Sequence, residues 1–346
     1  MSRNRRMHMN KMKDLRSRHS SEFTLLLIFV GLFVLMAVLS PDRFMTVNNI
    51  KTMAFQMPEF GLMALAMMIA VLTGGINLSI TTGATLSTIV AAFILSSEFG
   101  KEHPLLCVLV GVVVCMLVAV ASGIVNGTIV AYIGVAPMLV TLGTKTLFEG
   151  LGLNFTKGGS ISGFPELYAE IGNGTLLGIP IPMIIYVIAL VACYFLFERS
   201  VWGTEVYMIG CNETATRFSG INTKKVLLWV YIYSGILSGL AGILISSRYN
   251  SAKTDYGSSY VMQAVSAVVL GGTSISGGHG TVAGTIIAVA IIQVISTGLN
   301  ILGVNRYIIN IITGGILIAV LILRYATKVL EDKKKIKMRA AQGTTK

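Results

Sequence analysis

The chain has 346 residues, 54% of them hydrophobic and 12% charged, with a formal net charge of +12. A soluble globular domain carries roughly 25% charged residues, so composition excludes one. The positive charge does not indicate nucleic acid either, because it gathers at the chain ends and no nucleic-acid-binding motif accompanies it.

Arg3, Arg5, Arg6, Lys11, Lys13, Arg16 and Arg18 precede the first apolar run, and Arg324, Lys328, Lys333, Lys334, Lys335, Lys337 and Arg339 follow the last. Basic flanks of this kind are the cytosolic-side signal of membrane proteins. Between them Asp, Glu, Lys and Arg are absent from 60–97, 104–144, 226–247 and 256–304. About 20 uncharged apolar residues cross a bilayer as a helix. The expected fold is therefore an all-α polytopic membrane protein.

In chain order the predicted crossings are 23–40, 58–73, 76–97, 104–132, 135–152, 181–198, 226–247, 258–272, 281–301 and 304–325, about ten in all. The first follows a basic stretch as a signal peptide would. It lacks a small-residue cleavage site before Pro41 and reads as a retained helix. The segments 58–73 and 258–272 are short enough to be re-entrant, or halves of broken helices. The basic flanks place both tails, 1–22 and 326–346, in the cytosol around a membrane domain spanning 23–325, and the even count agrees. The loop 199–225, with Arg199, Arg217, Lys224 and Lys225, then falls inside. The loop 153–180, with Glu166 and Glu170 against Lys157, falls outside. Cys107, Cys115, Cys193 and Cys211 have no metal or redox spacing, and three of them lie in apolar runs as small hydrophobes.

Two glycine-rich interruptions resemble each other. GGINLSITTGATLSTIVAAFI (74–94) set over GGTSISGGHGTVAGTIIAVAI (271–291) matches at 8 of 21 positions without gaps. A second stop follows in each half, at Gly134-Val135 and Gly303-Val304. A phosphate loop would need a preceding strand and a Gly-Lys-Ser/Thr ending, and neither is present. Helix breaks inside the bilayer, repeated in matching places, instead mark a transport pathway. Glycine lets the backbone turn, while nearby polar groups must satisfy the freed amides and carbonyls. Asn77, Ser79, Thr81, Thr82, Ser274 and Ser276 are placed to do so. Of these, Asn77, Ser79, Thr81, Ser274 and Ser276 are also candidates for lining a solute path. Small-residue packing between helices is the plainer reading of the same positions.

Three further features stand out. Lys145 and Glu149 share a helix face at i, i+4 and can pair or snorkel. His279 is a titratable group in the second break. In 203–225, Asn212 reads as an N-cap with Glu213 in the first turn and Gly220 as the stop. That describes a short helix between two crossings, suited to docking a soluble partner, or an ordinary connecting loop.

TGGINLS (73–79), NETATRFSGIN (212–222) and AVVLGGTSISGGHGTVAGT (267–285) together resemble the permeases of ATP-binding-cassette importers for ribose, xylose and other simple sugars. SSRYNSAKTDYGSSYVMQAVSAVVLGG (246–272) looks closest to the autoinducer-2 import permeases. The resemblance covers about 45–325. It implies roughly ten membrane helices, a homodimer or heterodimer of permeases, separate ATPase subunits that bind the ATP, and an extracytoplasmic solute-binding protein. The permease itself would carry no catalytic, metal or cofactor site, and would lie in the bacterial cytoplasmic membrane. The resemblance also implies that Gly210, Asn212, Ala215, Ser219, Gly220 and Ile221, flanked by Glu213 and Arg217, form the segment that couples to the ATPase. Asn77 and Glu149 stand where that family usually has Asp and Arg.

The expected function is thus import of a monosaccharide or similar neutral polyhydroxy solute, since hydroxyl and amide groups need no counter-charge to bind one. The alternative is an ion-coupled secondary transporter, which needs a buried acid or histidine network; Glu149 and His279 are its candidates. A membrane enzyme is disfavoured, because no metal cluster, paired acids or nucleophile–base spacing lies at depth. A purely structural subunit of a heterodimer stays open.

Overall fold

Proline punctuates the helices. Six of the seven prolines stand at helix starts, where the missing N–H leaves no bond unmade. Pro41, Pro104, Pro137 and Pro182 lie in first turns, and Pro165 and Pro180 are N-caps. The seventh, Pro58, sits inside a helix. In this computed structural model residues 22–98 and 102–305 are described, with scattered positions between 307 and 322. The basic tails and much of the 304–325 segment lie outside the described residues.

The chain is helical almost throughout. The helices are α1 (Glu22–Leu39), α2 (Pro41–Phe44), α3 (Val47–Leu72), α4 (Ile80–Leu95) and α5 (Pro104–Thr128), continued by a π-turn to Ile133. Next come α6 (Pro137–Thr156), α7 (Glu166–Asn173) and α8 (Ile181–Cys193), continued by a π-turn to Arg199. Then follow α9 (Val201–Cys211), α10 (Glu213–Phe218), α11 (Thr223–Tyr249), α12 (Tyr260–Leu270) and α13 (Val282–Ile301). Among the described residues, six helices are long and apolar enough to cross a membrane: α1, α3, α5 and α8 with their π-turns, α11 and α13. The helices α4 and α12 are apolar but shorter.

The 58–73 segment does not stand alone. It is the C-terminal part of α3, a 26-residue helix whose start is capped by Thr46, which accepts from Asn49 N–H. Lys51, Asn48 and Asn49 hide that first stretch from a hydropathy reading. The 258–272 segment is a short helix of 11 residues ending at the second break. The loop 153–180 is more ordered than expected. It contains α7, a two-residue pair β1 (Ile161–Ser162) with β4 (Ser251–Ala252), and a hairpin, β2 (Thr175–Leu176) with β3 (Ile179–Pro180). Ser247 Oγ accepts Gly172 N–H at 2.7 Å, which fixes α7 across the C-terminal end of α11.

The core lies around α3 and α11. All of 58–72 is buried, as is most of α11. Helix α11 approaches α5 through glycine on both sides. A Cβ on Gly123 would lie 2.5 Å from Tyr231 O, and one on Gly235 would lie 2.5 Å from Ala119 O. Close small-residue contact is how membrane helices associate when lipid removes the hydrophobic drive. By contrast α1, α5 and α8 present exposed Leu, Ile, Val and Phe side chains, suited to lipid or to another chain.

Candidate functional site

Helix α3 ends at Leu72 with Thr73 as its C-cap, and Gly74 reverses the chain in the left-handed region at φ +81°. The next residues run without helix to Ser79, where α4 begins. Such a stretch inside an apolar bundle must find internal partners. It does so through one directed chain of hydrogen bonds. Thr144 Oγ1 donates to Asn126 Oδ1 (2.7 Å), Asn126 Nδ2 to Ser79 Oγ (2.8 Å), and Ser79 Oγ to Asn77 Oδ1 (2.8 Å). Asn77 Nδ2 then donates to Ser234 Oγ (2.9 Å), which donates to Ala66 O (2.9 Å). All five side chains are buried. Thr141 Oγ1 adds a bond to Ile76 O at 2.8 Å. The relay joins α6, α5, the break, α11 and α3. Thr81 and Thr82 are buried in the first turn of α4, where Thr82 Oγ1 donates back to Ser79 O.

The second break, between Leu270 and Val282, contains Gly272, Gly277 and Gly278 at positive φ. Its exit is closely packed, since a Cβ on Gly284 would lie 2.0 Å from Gly271 O. Thr281 caps α13 by accepting Gly284 N–H, and Glu198 Oε1 accepts Val282 N–H at 2.9 Å. That carboxylate faces the positive end of the α13 dipole. Tyr207 of α9 donates to Gly280 O at 3.0 Å. Ser274 is half-buried, while Ser276 and His279 are exposed. The His279 ring contacts Gly278 O through Nδ1.

The two breaks touch each other, and both touch Gly210. Gly278 N–H donates to Leu72 O at 2.9 Å. A Cβ on Gly277 would lie 2.6 Å from Gly74 N and 2.9 Å from Gly210 Cα. One on Gly210 would lie 2.0 Å from Leu72 O and 2.3 Å from Gly278 N. Three backbone segments thus meet where side chains have no room. Gly210 is two residues from Asn212, whose Oδ1 accepts Ala215 N–H and caps α10. Helix α10 is exposed apart from Thr216, and Phe218 is 82% exposed at its end. Gly220 follows in the left-handed region at φ +87°, and Asn222 caps α11 through Lys225 N–H. Glu213 and Arg217 stand in the first and last turns, Ser219 closes the helix, and Ile221 packs on the core.

Lys145 is half-buried and Glu149 exposed on α6, and no ion pair joins them. A buried pair lies elsewhere. Glu59, 1% exposed in the middle of α3, faces Arg248 at the end of α11, with Nε to Oε1 at 2.5 Å and an Nη2 hydrogen bond to Oε2 at 2.8 Å.

Residues 49–321 match the family described as "Branched-chain amino acid transport system / permease component". The chain belongs to this family. It is 40% identical to the ribose import permease protein RbsC of Bacillus subtilis over 302 residues, covering 86% of this chain and 91% of that one. It is 37% identical to RbsC of Escherichia coli K12 over 300 residues (85% and 91%). It is 32% identical to the autoinducer 2 import system permease protein LsrD of Yersinia enterocolitica over 306 residues (87% and 89%). No solved structure matches the chain significantly.

For a permease of this family, the sequence reading located both breaks and the α10 cap. It missed Asn126, Thr144 and Ser234, which lie inside apolar runs on three other helices. It also missed the Glu59–Arg248 pair, because each charge stands at the edge of a charge-free stretch and reads as a boundary. The signal available was complementarity: one lone acid and one lone base, each bordering an otherwise apolar run.

Proposed function

We propose that this multi-pass membrane permease is the translocating subunit of an ATP-binding-cassette importer, and that its solute is a monosaccharide or similar neutral polyhydroxy compound. The names of its relatives support sugar-like solutes, ribose above all. ATP is bound and hydrolysed on a separate subunit, a solute-binding protein delivers the cargo outside, and a second permease completes the pathway. The chain crosses the cytoplasmic membrane about ten times with both tails inside. Residues 23–325 form the permease domain, and 199–225 carries the coupling loop.

The observation that carries this reading is the Gly210 contact. A short exposed helix, α10, is tied through two residues of backbone to the point where both helix breaks meet. In this reading Asn212, Glu213, Ala215, Arg217, Ser219, Gly220 and Ile221 shape the docking helix, and Gly210 passes its displacement to the breaks. Asn77 and Ser79 hold the first break together with Thr81 buried beside them, while Ser274 and Ser276 are the break residues free to meet solute.

The test is co-purification of this chain with its candidate ATPase, wild type against Gly220→Arg, followed by ATP hydrolysis in lipid with the binding protein present. Wild type is expected to capture an active ATPase and Gly220→Arg to lose it. Ion-gradient-driven uptake by wild type without any ATPase overturns the reading.

A further inference from the structure

The two elements that flank the second break and the one that leads into the first share a second feature, far from the breaks. Gln56 and Phe60 of α3, Tyr260 and Gln263 of α12, and Gln293, Ser296 and Asn300 of α13 line one cavity of about 270 Å³, with Arg248 and Tyr249 also in its wall. Gln56 precedes Leu72 by 16 residues, roughly 24 Å along a helix. The cavity therefore lies beside the middle of α3, well away from the joint at Gly210. Positions 293, 296 and 300 fall on one face of α13, in a helix whose other polar side chains are Thr285 and Thr297. A polar stripe in such a helix is costly unless it meets water, protein or a passing solute.

Resting on the import reading above, we infer that this cavity is a solute station on the translocation path and holds a neutral polyhydroxylated solute of monosaccharide size. Four observations set the chemistry. The volume falls just below the roughly 300–1,000 Å³ of sites for drug-sized ligands, which suits a single small ring. Carboxamides offer both donor and acceptor, as each sugar hydroxyl does. Phe60 and Tyr260, with ring centroids 5.8 Å apart, supply an apolar face for the C–H side of a ring. The one cation in the wall, Arg248, is already neutralised by Glu59 behind it, so the wall selects neither anions nor cations. Gln293 Nε2 donates to Thr297 Oγ1 at 3.1 Å and bridges α13 to α3 through a longer bond to Gln56 Oε1, 3.3 Å, which a solute hydroxyl can replace. Helices α3, α12 and α13 each run from the cavity to a break, so the station and the joint are connected by rigid rods.

The test uses the full transporter, permease with ATPase and binding protein, in proteoliposomes with D-ribose and D-xylose as probes. Wild type that imports neither sugar with ATP refutes the import reading itself. Where wild type imports, Gln293→Leu is expected to lower uptake at least tenfold, and Gln293→Asn, which keeps the amide, to lower it less. Wild-type uptake by Gln293→Leu overturns the station. A readout independent of turnover is thiol labelling of Ser296→Cys in a Cys211→Ser background, since the other cysteines are buried. The imported sugar is expected to slow maleimide labelling at least threefold. A rate unchanged by saturating sugar, or no labelling at all, overturns the inference.

Discussion

Glu198 caps a helix that begins 84 residues later in the chain: its Oε1 accepts the Val282 N–H at 2.9 Å. The carboxylate satisfies one of the orphan donors at the α13 start and complements the dipole there. Glu198→Ala is expected to destabilise the purified protein by about 1 kcal/mol, and Glu198→Gln, which keeps an acceptor, by less. Thermal unfolding in one detergent ranks the three proteins. Equal midpoints for wild type and Glu198→Ala would show that the cap contributes nothing.

The buried Glu59–Arg248 pair should behave as a unit. Removing one partner leaves an uncompensated charge in an apolar bundle, a loss of roughly 3–5 kcal/mol. Arg248 retains 16% exposure, so the lower end applies. Glu59→Gln and Arg248→Gln are each expected to unfold at lower temperature than the double variant. A double-mutant cycle with purely additive losses would count against the pairing.

Gly210 and Gly220 fail for different reasons. Gly210→Ala drives a Cβ into the Leu72 carbonyl and the Gly278 amide. Gly220→Ala meets nothing within 4 Å but must hold φ +87°, at about 1–2 kcal/mol for an L-residue. Gly210→Ala is therefore expected to lose more folded protein on purification. Size-exclusion yield and unfolding midpoint check the order, and the reverse ranking would remove the close contact from the account.

In the first break, Asn77→Leu deletes both halves of a relay step, leaving Ser79 and Ser234 short of partners at about 1–3 kcal/mol for each orphaned group. Asn77→Asp keeps the acceptor for Ser79 and should be the milder change. Unfolding midpoints that place Asn77→Leu at or above Asn77→Asp would mean the relay is dispensable.

Charge-free stretches, the Asn212 cap and both glycine reversals could be read directly from the chain, because each depends on residues within a few positions of one another. Contacts set by folding could not. The 8-of-21 alignment pairs Gly74 with Gly271, yet in the Gly271-Gly272 pair of the second copy the residue at positive φ is Gly272. The turn has slipped by one, and neither an eleven-residue break nor its register follows from composition. The relay through Asn126, Thr144 and Ser234 draws on three helices whose polar residues look incidental singly. Helix α3 was legible only from Pro58 onward, because Lys51 and two asparagines interrupt its apolar run; the cap at Thr46 is made with the backbone N–H of residue 49, which leaves no mark in the side-chain sequence.

The meeting of Gly74, Gly210 and Gly277 has a mechanical consequence. Side chains yield to a push by changing rotamer, and a contact built from them is compliant. Here peptide planes rest on peptide planes, and there is nothing to rotate aside. A displacement entering at Gly210 would not be absorbed locally; it would be handed to both reversals at once, with the stiffness of the main chain itself.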